Sequence, residues 1–140
     1  MKKLILLSII IGLGIIPAFA KREDTVTLNV GQQKTVGKLT VRFVAIDSDS
    51  RCPINARCIW AGNARVKITV SKGRKRGTSF ELNSTLDPKV VTYQGYDIQF
   101  VDLSPHPGEE KQDPRSKVRV GAWMKVPKTP ALTLSITKHG

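Results

Sequence analysis

Apolar residues in this chain recur at every second position, and that spacing decides most of its architecture. Val26, Leu28 and Val30 alternate with Thr25, Thr27 and Asn29. In the next run Leu39, Val41, Phe43 and Ala45 share one face. Val44 and Ile46 make its other face apolar as well, so this run is expected to be covered on both sides. Ala64, Val66, Ile68 and Val70 interleave with Arg65, Lys67, Thr69 and Ser71. Shorter alternations follow at Phe80 and Leu82, at Val91 and Tyr93, and at Tyr96, Ile98 and Phe100. Val118 and Val120, and then Leu132, Leu134 and Ile136, complete the series. A period of two puts successive side chains on opposite faces of a pleated strand, whereas a surface helix needs a period near 3.6.

The pattern therefore predicts about eight strands, punctuated by Gly31-Gln32, residues 72–77, Asp87-Pro88 and Gln94-Gly95. Strands with one polar face suit antiparallel sheets wetted on one side, and their apolar stripes must face a second sheet or a closed barrel interior. The expected class is all-β, an antiparallel β-sandwich or barrel with one disulfide loop; alternation does not choose between the two. Residues 103–116, LSPHPGEEKQDPRS, carry three prolines and read as a connector, as do residues 126–132, VPKTPAL. Residues 104–116 are a candidate binding rim, because loops on a rigid scaffold often carry contacts.

The first twenty residues break this pattern. Lys2 and Lys3 precede 13 uncharged, mostly apolar residues, 4–16; Pro17 and Ala18-Phe19-Ala20 follow. That run is shorter than the roughly 20 residues that span a bilayer as a helix, and it ends in small residues suited to signal peptidase. The expectation is a signal peptide over residues 1–20, cleaved after Ala20, and a single all-β domain over 21–140. The product would be secreted to the periplasm or the medium, with no transmembrane segment in the mature chain. The first cysteine is Cys52, so no lipid anchor is expected at the cleavage point.

Charge narrows the partners. The chain holds 23 Lys and Arg against 11 acids, a formal +12 that falls to +10 when Lys2 and Lys3 leave with the leader. An exported basic protein is drawn to anionic envelope components such as lipid headgroups and acidic polysaccharide. Lys72, Arg74, Lys75 and Arg76, clustered in the tip SKGRKRG, are the candidate anion-binding residues. The same like charges would also discourage edge-to-edge strand pairing. No aromatic residue lies in that tip to stack bases, so sequence-specific nucleic-acid binding is not expected.

Both cysteines fall in SDSRCPINARCIWAGNARV, residues 48–66. In an exported chain Cys52 and Cys58 are most simply one disulfide. Such a short ring is worth roughly 2 to 2.5 kcal/mol by the chain-entropy argument. Zinc is not expected: the cysteine spacing is too wide for a knuckle, and the histidines are only His106 and His139. Ile54 and Trp60 are expected to cover the bridge, with Trp60 buried beneath it, while Gly62 permits the bend into the next strand. A rigid loop of this kind can enter an enzyme cleft with little entropy left to lose. Pro53, Asn55 and Arg57 are its candidate contacts, with Arg57 as anchor for an acidic pocket.

The stretch also resembles a motif of small exported bacterial proteins of uncharacterised function: Asp-Ser-Arg-Cys-Pro, four variable residues, Cys, one residue, Trp-Ala-Gly, then a strand. Asp49, Ser50, Arg51, Cys52, Pro53, Cys58, Trp60, Ala61 and Gly62 match it; Asn63 stands where that pattern more often has an acid. The resemblance implies an exported, disulfide-bearing, β-rich protein and imports no activity. Glu109, Glu110 and Asp113 crowd near His106, but with Lys111 and Arg115 among them they read as solvated surface. No nucleophile-elbow, zincin or phosphate-loop motif is present. The reading is thus a non-enzymatic binding or envelope-associated module with a cationic surface, using no cofactor or metal. Its alternative is an inhibitor of an extracellular enzyme that presents the 52–58 disulfide loop.

Overall fold

The computed structural model describes residues 21–108 and 129–140. Eight strands run in chain order: β1 Glu23–Asn29, β2 Gln33–Val36, β3 Leu39–Asp49, β4 Ala64–Lys72, β5 Thr78–Asn83, β6 Val90–Tyr93, β7 Tyr96–Ser104 and β8 Ala131–Lys138. They form two antiparallel four-stranded sheets, one ordered β1-β8-β7-β6 and the other β2-β3-β4-β5. The inward stripes of both sheets meet in one apolar cluster, in which Leu28, Phe43, Ile68, Leu82, Ile98 and Leu134 have no exposed surface. The architecture is a sandwich, with the core between its layers.

Seven of the strands coincide with alternating runs in the sequence. The exception, β2, reads Gln-Lys-Thr-Val and is mostly exposed, so no apolar stripe announces it. It exists because β3 offers it a ladder through Gln33↔Arg42 to Val36↔Leu39, and its Lys34 suits an edge strand. The alternation expected at Val118 and Val120 lies outside the described residues, as do residues 1–20, expected to be a leader, and Glu109, Glu110 and Asp113.

The two-sided covering expected of the second run is corrected by a bulge. The β3–β4 register slips between Phe43 and Ala45, leaving Val44 unpaired and 38% exposed. An inserted residue reverses the phase of everything after it. Ile46 then falls opposite the buried Val66 and packs against the core, while Ala45 faces Lys67. Val44 and Ile46 are both apolar because the strand changes phase there. A second slip, between Phe100 and Asp102, turns Leu103 inward and leaves Val101 outside.

Turn chemistry closes the hairpins. Gln94 and Gly95, both at positive φ, form the two-residue reversal between β6 and β7, the twist that suits paired strands. Gly37 takes φ +60° in the two-residue β2–β3 turn. On one flank the sheets close through Phe80 and Tyr93, whose rings meet edge to face at 5.9 Å. The β3–β4 loop, containing the disulfide, leaves at the end marked by the Asp49↔Ala64 pair; the Leu39↔Lys72 pair marks the other end.

Candidate functional site

Residues 50–63 form a loop held at its neck by backbone. Ser50 N donates to Asn63 O at 2.8 Å, and Cys52 N to Ala61 O at 3.0 Å. The two chain segments can lie this close only because residue 62 is glycine. Its φ is +70°, and a Cβ there would stand 1.8 Å from the Ser50 carbonyl oxygen. Cys52 and Cys58 are bonded, with Cα atoms 5.9 Å apart, within the usual disulfide span. Inside the ring Ala56 N donates to Pro53 O, so its tip is a compact turn.

Beneath the neck lies Arg51, 8% exposed. Its Nε and Nη2 each donate at 2.8 Å to the two carboxylate oxygens of Asp49. Nη1 donates to Leu103 O, and Nη2 also to Pro105 O at 3.1 Å. One guanidinium therefore joins the start of the loop in one sheet to the end of β7 in the other. Burial alone would raise the Asp49 carboxyl, but the hydrogen bonds and charge of Arg51 outweigh it and hold the group below its ordinary value. On the loop's inner side Ile54 N donates to Pro107 O at 2.9 Å. Gly108 comes so close that a side chain there would meet Asn55 and Pro53.

This arrangement overturns the expected burial of Trp60. The side chain this loop buries is Arg51, bonded to the Leu103 and Pro105 carbonyls, and the backbone of residues 61–62 is drawn tight against residues 50–52. The indole is left outside, 81% exposed, beside Ile59 at 94%. Ile54, also expected to cover the bridge, is 58% exposed. Arg57 is exposed in the ring, whereas Pro53 is half-buried and, with Asn55, borders Gly108. A groove of about 370 Å³ runs from Cys52 past Ala61 to Phe100 and Val101.

Asn63, where the resembling pattern tends to have an acid, uses both ends of its amide. Nδ2 donates to Asn83 Oδ1 at 2.8 Å, and Oδ1 accepts from Thr85 N at 3.0 Å. A carboxylate could do only the second. The amide instead ties the loop's exit to residues 83–85, where the chain crosses from β5 toward β6.

The structure places the four candidate anion-binding residues in two different settings. Arg74, Lys75 and Arg76 are exposed at the β4–β5 tip. Lys72 is half-buried and turned away from them: its Nζ donates to Gln94 O at 3.0 Å and stands 5.6 Å from the centre of the Tyr96 ring. Proximity in the chain groups them, but Lys72 is the last residue of β4 and the other three lie in or just beyond the turn. His139 is likewise anchored, its N donating to Gly95 O and its Nε2 lying 2.8 Å from Asp97 Oδ2.

The fold and the loop define a disulfide-bearing β-sandwich with an exposed apolar knob. Compared with protein-family models, curated proteins and solved structures, the chain matches none.

Proposed function

We propose that the protein is an exported, non-enzymatic binding module that docks onto a protein partner through its disulfide loop. The observation that carries this reading is the exposure of Ile59 and Trp60 on a loop whose neck is rigidly held. Tryptophan presented this way has left the core at a cost in hydrophobic free energy that association would recover. Trp and Arg are the side chains most often found carrying the energy of an interface, and Trp60 and Arg57 are both exposed on this loop. The disulfide and the Arg51 bonds leave little loop entropy to lose on docking. The inhibitor reading is the particular case in which the partner is an enzyme cleft, and the exposed Arg57 favours it as the residue that would enter an acidic pocket.

The test is photo-crosslinking from position 59 in envelope and culture-medium fractions, followed by reconstitution with the partner purified. Trp60→Ala should weaken the reconstituted complex by about thirtyfold or more, the scale of an interface hot spot, without lowering Tm. Arg57→Ala should do the same if the partner is an acidic cleft. An unchanged affinity in Trp60→Ala refutes loop docking. Phospholipid-vesicle binding that is lost in Trp60→Ala, with no protein captured, refutes the choice of partner.

A further inference from the structure

The end of the sandwich opposite the disulfide loop carries a second feature that loop docking does not use. There the first residues of β1 and the β2–β3 turn stand apart over the start of β7, leaving a cleft of about 860 Å³. This is ample for a small ligand, which usually occupies a concavity of about 300–1,000 Å³. Four cations line it, Arg22, Lys38, Lys72 and Lys138, against one acid, Asp24. Arg22 is committed to Asp24, with Nε 3.5 Å from Oδ1. Three lysines remain.

At the foot of the cleft lies Tyr96, only 6% exposed. Its hydroxyl has no hydrogen-bond partner among the described residues, and it comes up beside Gly37, where a Cβ would lie 3.4 Å from it. The ring is buried but the hydroxyl opens into the cleft, where it can donate to a ligand. Lys72 is fixed over the same ring by its bond to Gln94 O, which takes one of its three ammonium donors and leaves the others. Gly37 keeps the approach to the hydroxyl open.

We propose that this cleft binds a phosphate ester, with Lys38, Lys72 and Lys138 supplying charge and the Tyr96 hydroxyl a further donor. Charge selects the anion. Lysine ammoniums are compact charges with rotatable donors, and three of them around one cleft can reach several oxygens of a tetrahedral group. The excess positive charge of the lining matches a phosphate dianion. The volume has room for the polar carrier beyond the phosphate, against the walls formed by Val26 and Val36. The exposed tip residues Arg74, Lys75 and Arg76 are not part of this site.

Titration calorimetry with glycerol phosphate tests the assignment. Saturable binding is expected, weakening steeply when salt is raised to about 0.3 M. Lys72→Gln should lower affinity by about tenfold or more, and Tyr96→Phe by several-fold. Lys38→Gln with Lys138→Gln should do so without lowering Tm, since both side chains are exposed. Replacing Arg74, Lys75 and Arg76 together by Gln should leave binding unchanged. A parallel arm with phosphatidylglycerol vesicles separates the sources: retention on vesicles with the same lysine dependence identifies a lipid headgroup, and binding to the free ester alone a soluble phosphate. Absence of saturable binding in both arms overturns the proposal. So does binding that survives the cleft variants and is lost with the tip.

Discussion

Replacing Arg51 by alanine tests the claim that one buried guanidinium holds the loop to both sheets. The change deletes two bonds to the Asp49 carboxylate and one each to the Leu103 and Pro105 carbonyls. Removing one member of a fully buried ion pair costs about 3–5 kcal/mol, because the other charge is left stranded. The Asp49 side chain keeps 25% of its exposure, so water can partly resolvate it and the lower end applies, about 3 kcal/mol. For a domain of this size that is a fall in Tm of about 10 °C. Arg51→Lys should recover only a minor part, since one ammonium cannot span the carboxylate and two carbonyls as the fork does. Urea unfolding followed by far-UV circular dichroism is the suitable assay, because it reads the loss of both sheets directly. In a double-mutant cycle with Asp49→Ala the pair should show coupling of about 1.5 kcal/mol or more. A cost below about 1 kcal/mol for Arg51→Ala, or simple additivity in the cycle, would refute the role assigned to this residue.

Two further outcomes follow from the same loop. Gly62→Ala should destabilise by well over the about 1–2 kcal/mol of a left-handed backbone penalty, because its Cβ meets the Ser50 carbonyl. Gly73→Ala, at φ +61° with nothing within 4 Å of the added atom, should cost only that penalty, and equal losses in urea melts would contradict the close approach. Asp49 is held below its ordinary value of 3.8 in the folded state, so its stabilising contribution is complete above that pH and is lost as pH falls through the lower folded value. The Tm difference between the protein and Asp49→Asn should therefore be full at neutral pH and shrink below about pH 4; a difference constant down to about pH 2 would exclude the linkage.

Much of the fold is local in origin and could be read from the chain. Alternation at residues 26–30, 64–70 and 132–136 dictates strands, because a two-residue period buries one face whatever the partner. Gln94-Gly95 dictates a hairpin, because few residue pairs accept two positive φ angles. The disulfide follows from two cysteines in a chain expected to be exported. Tertiary structure decided the rest. It made a strand of Gln33–Val36, whose own residues carry no apolar stripe, by offering it the edge of β3. It placed the bulge at Val44, where two apolar phases in the sequence were read as two covered faces.

The loop shows the division most clearly. Its composition announced a staple, and Gly62 a bend, but nothing local revealed that Arg51 would reach the Leu103 and Pro105 carbonyls and be the side chain this loop buries. An aromatic residue beside a disulfide reads as core when only neighbours in sequence are counted. Which side chain such a loop buries depends on its partners in the fold, and those of Arg51 lie about fifty positions away. The same reason separates Lys72 from Arg74, Lys75 and Arg76: adjacency along the chain made them one cluster, and the end of a strand parted them, leaving Lys72 over Tyr96 and the others in solvent.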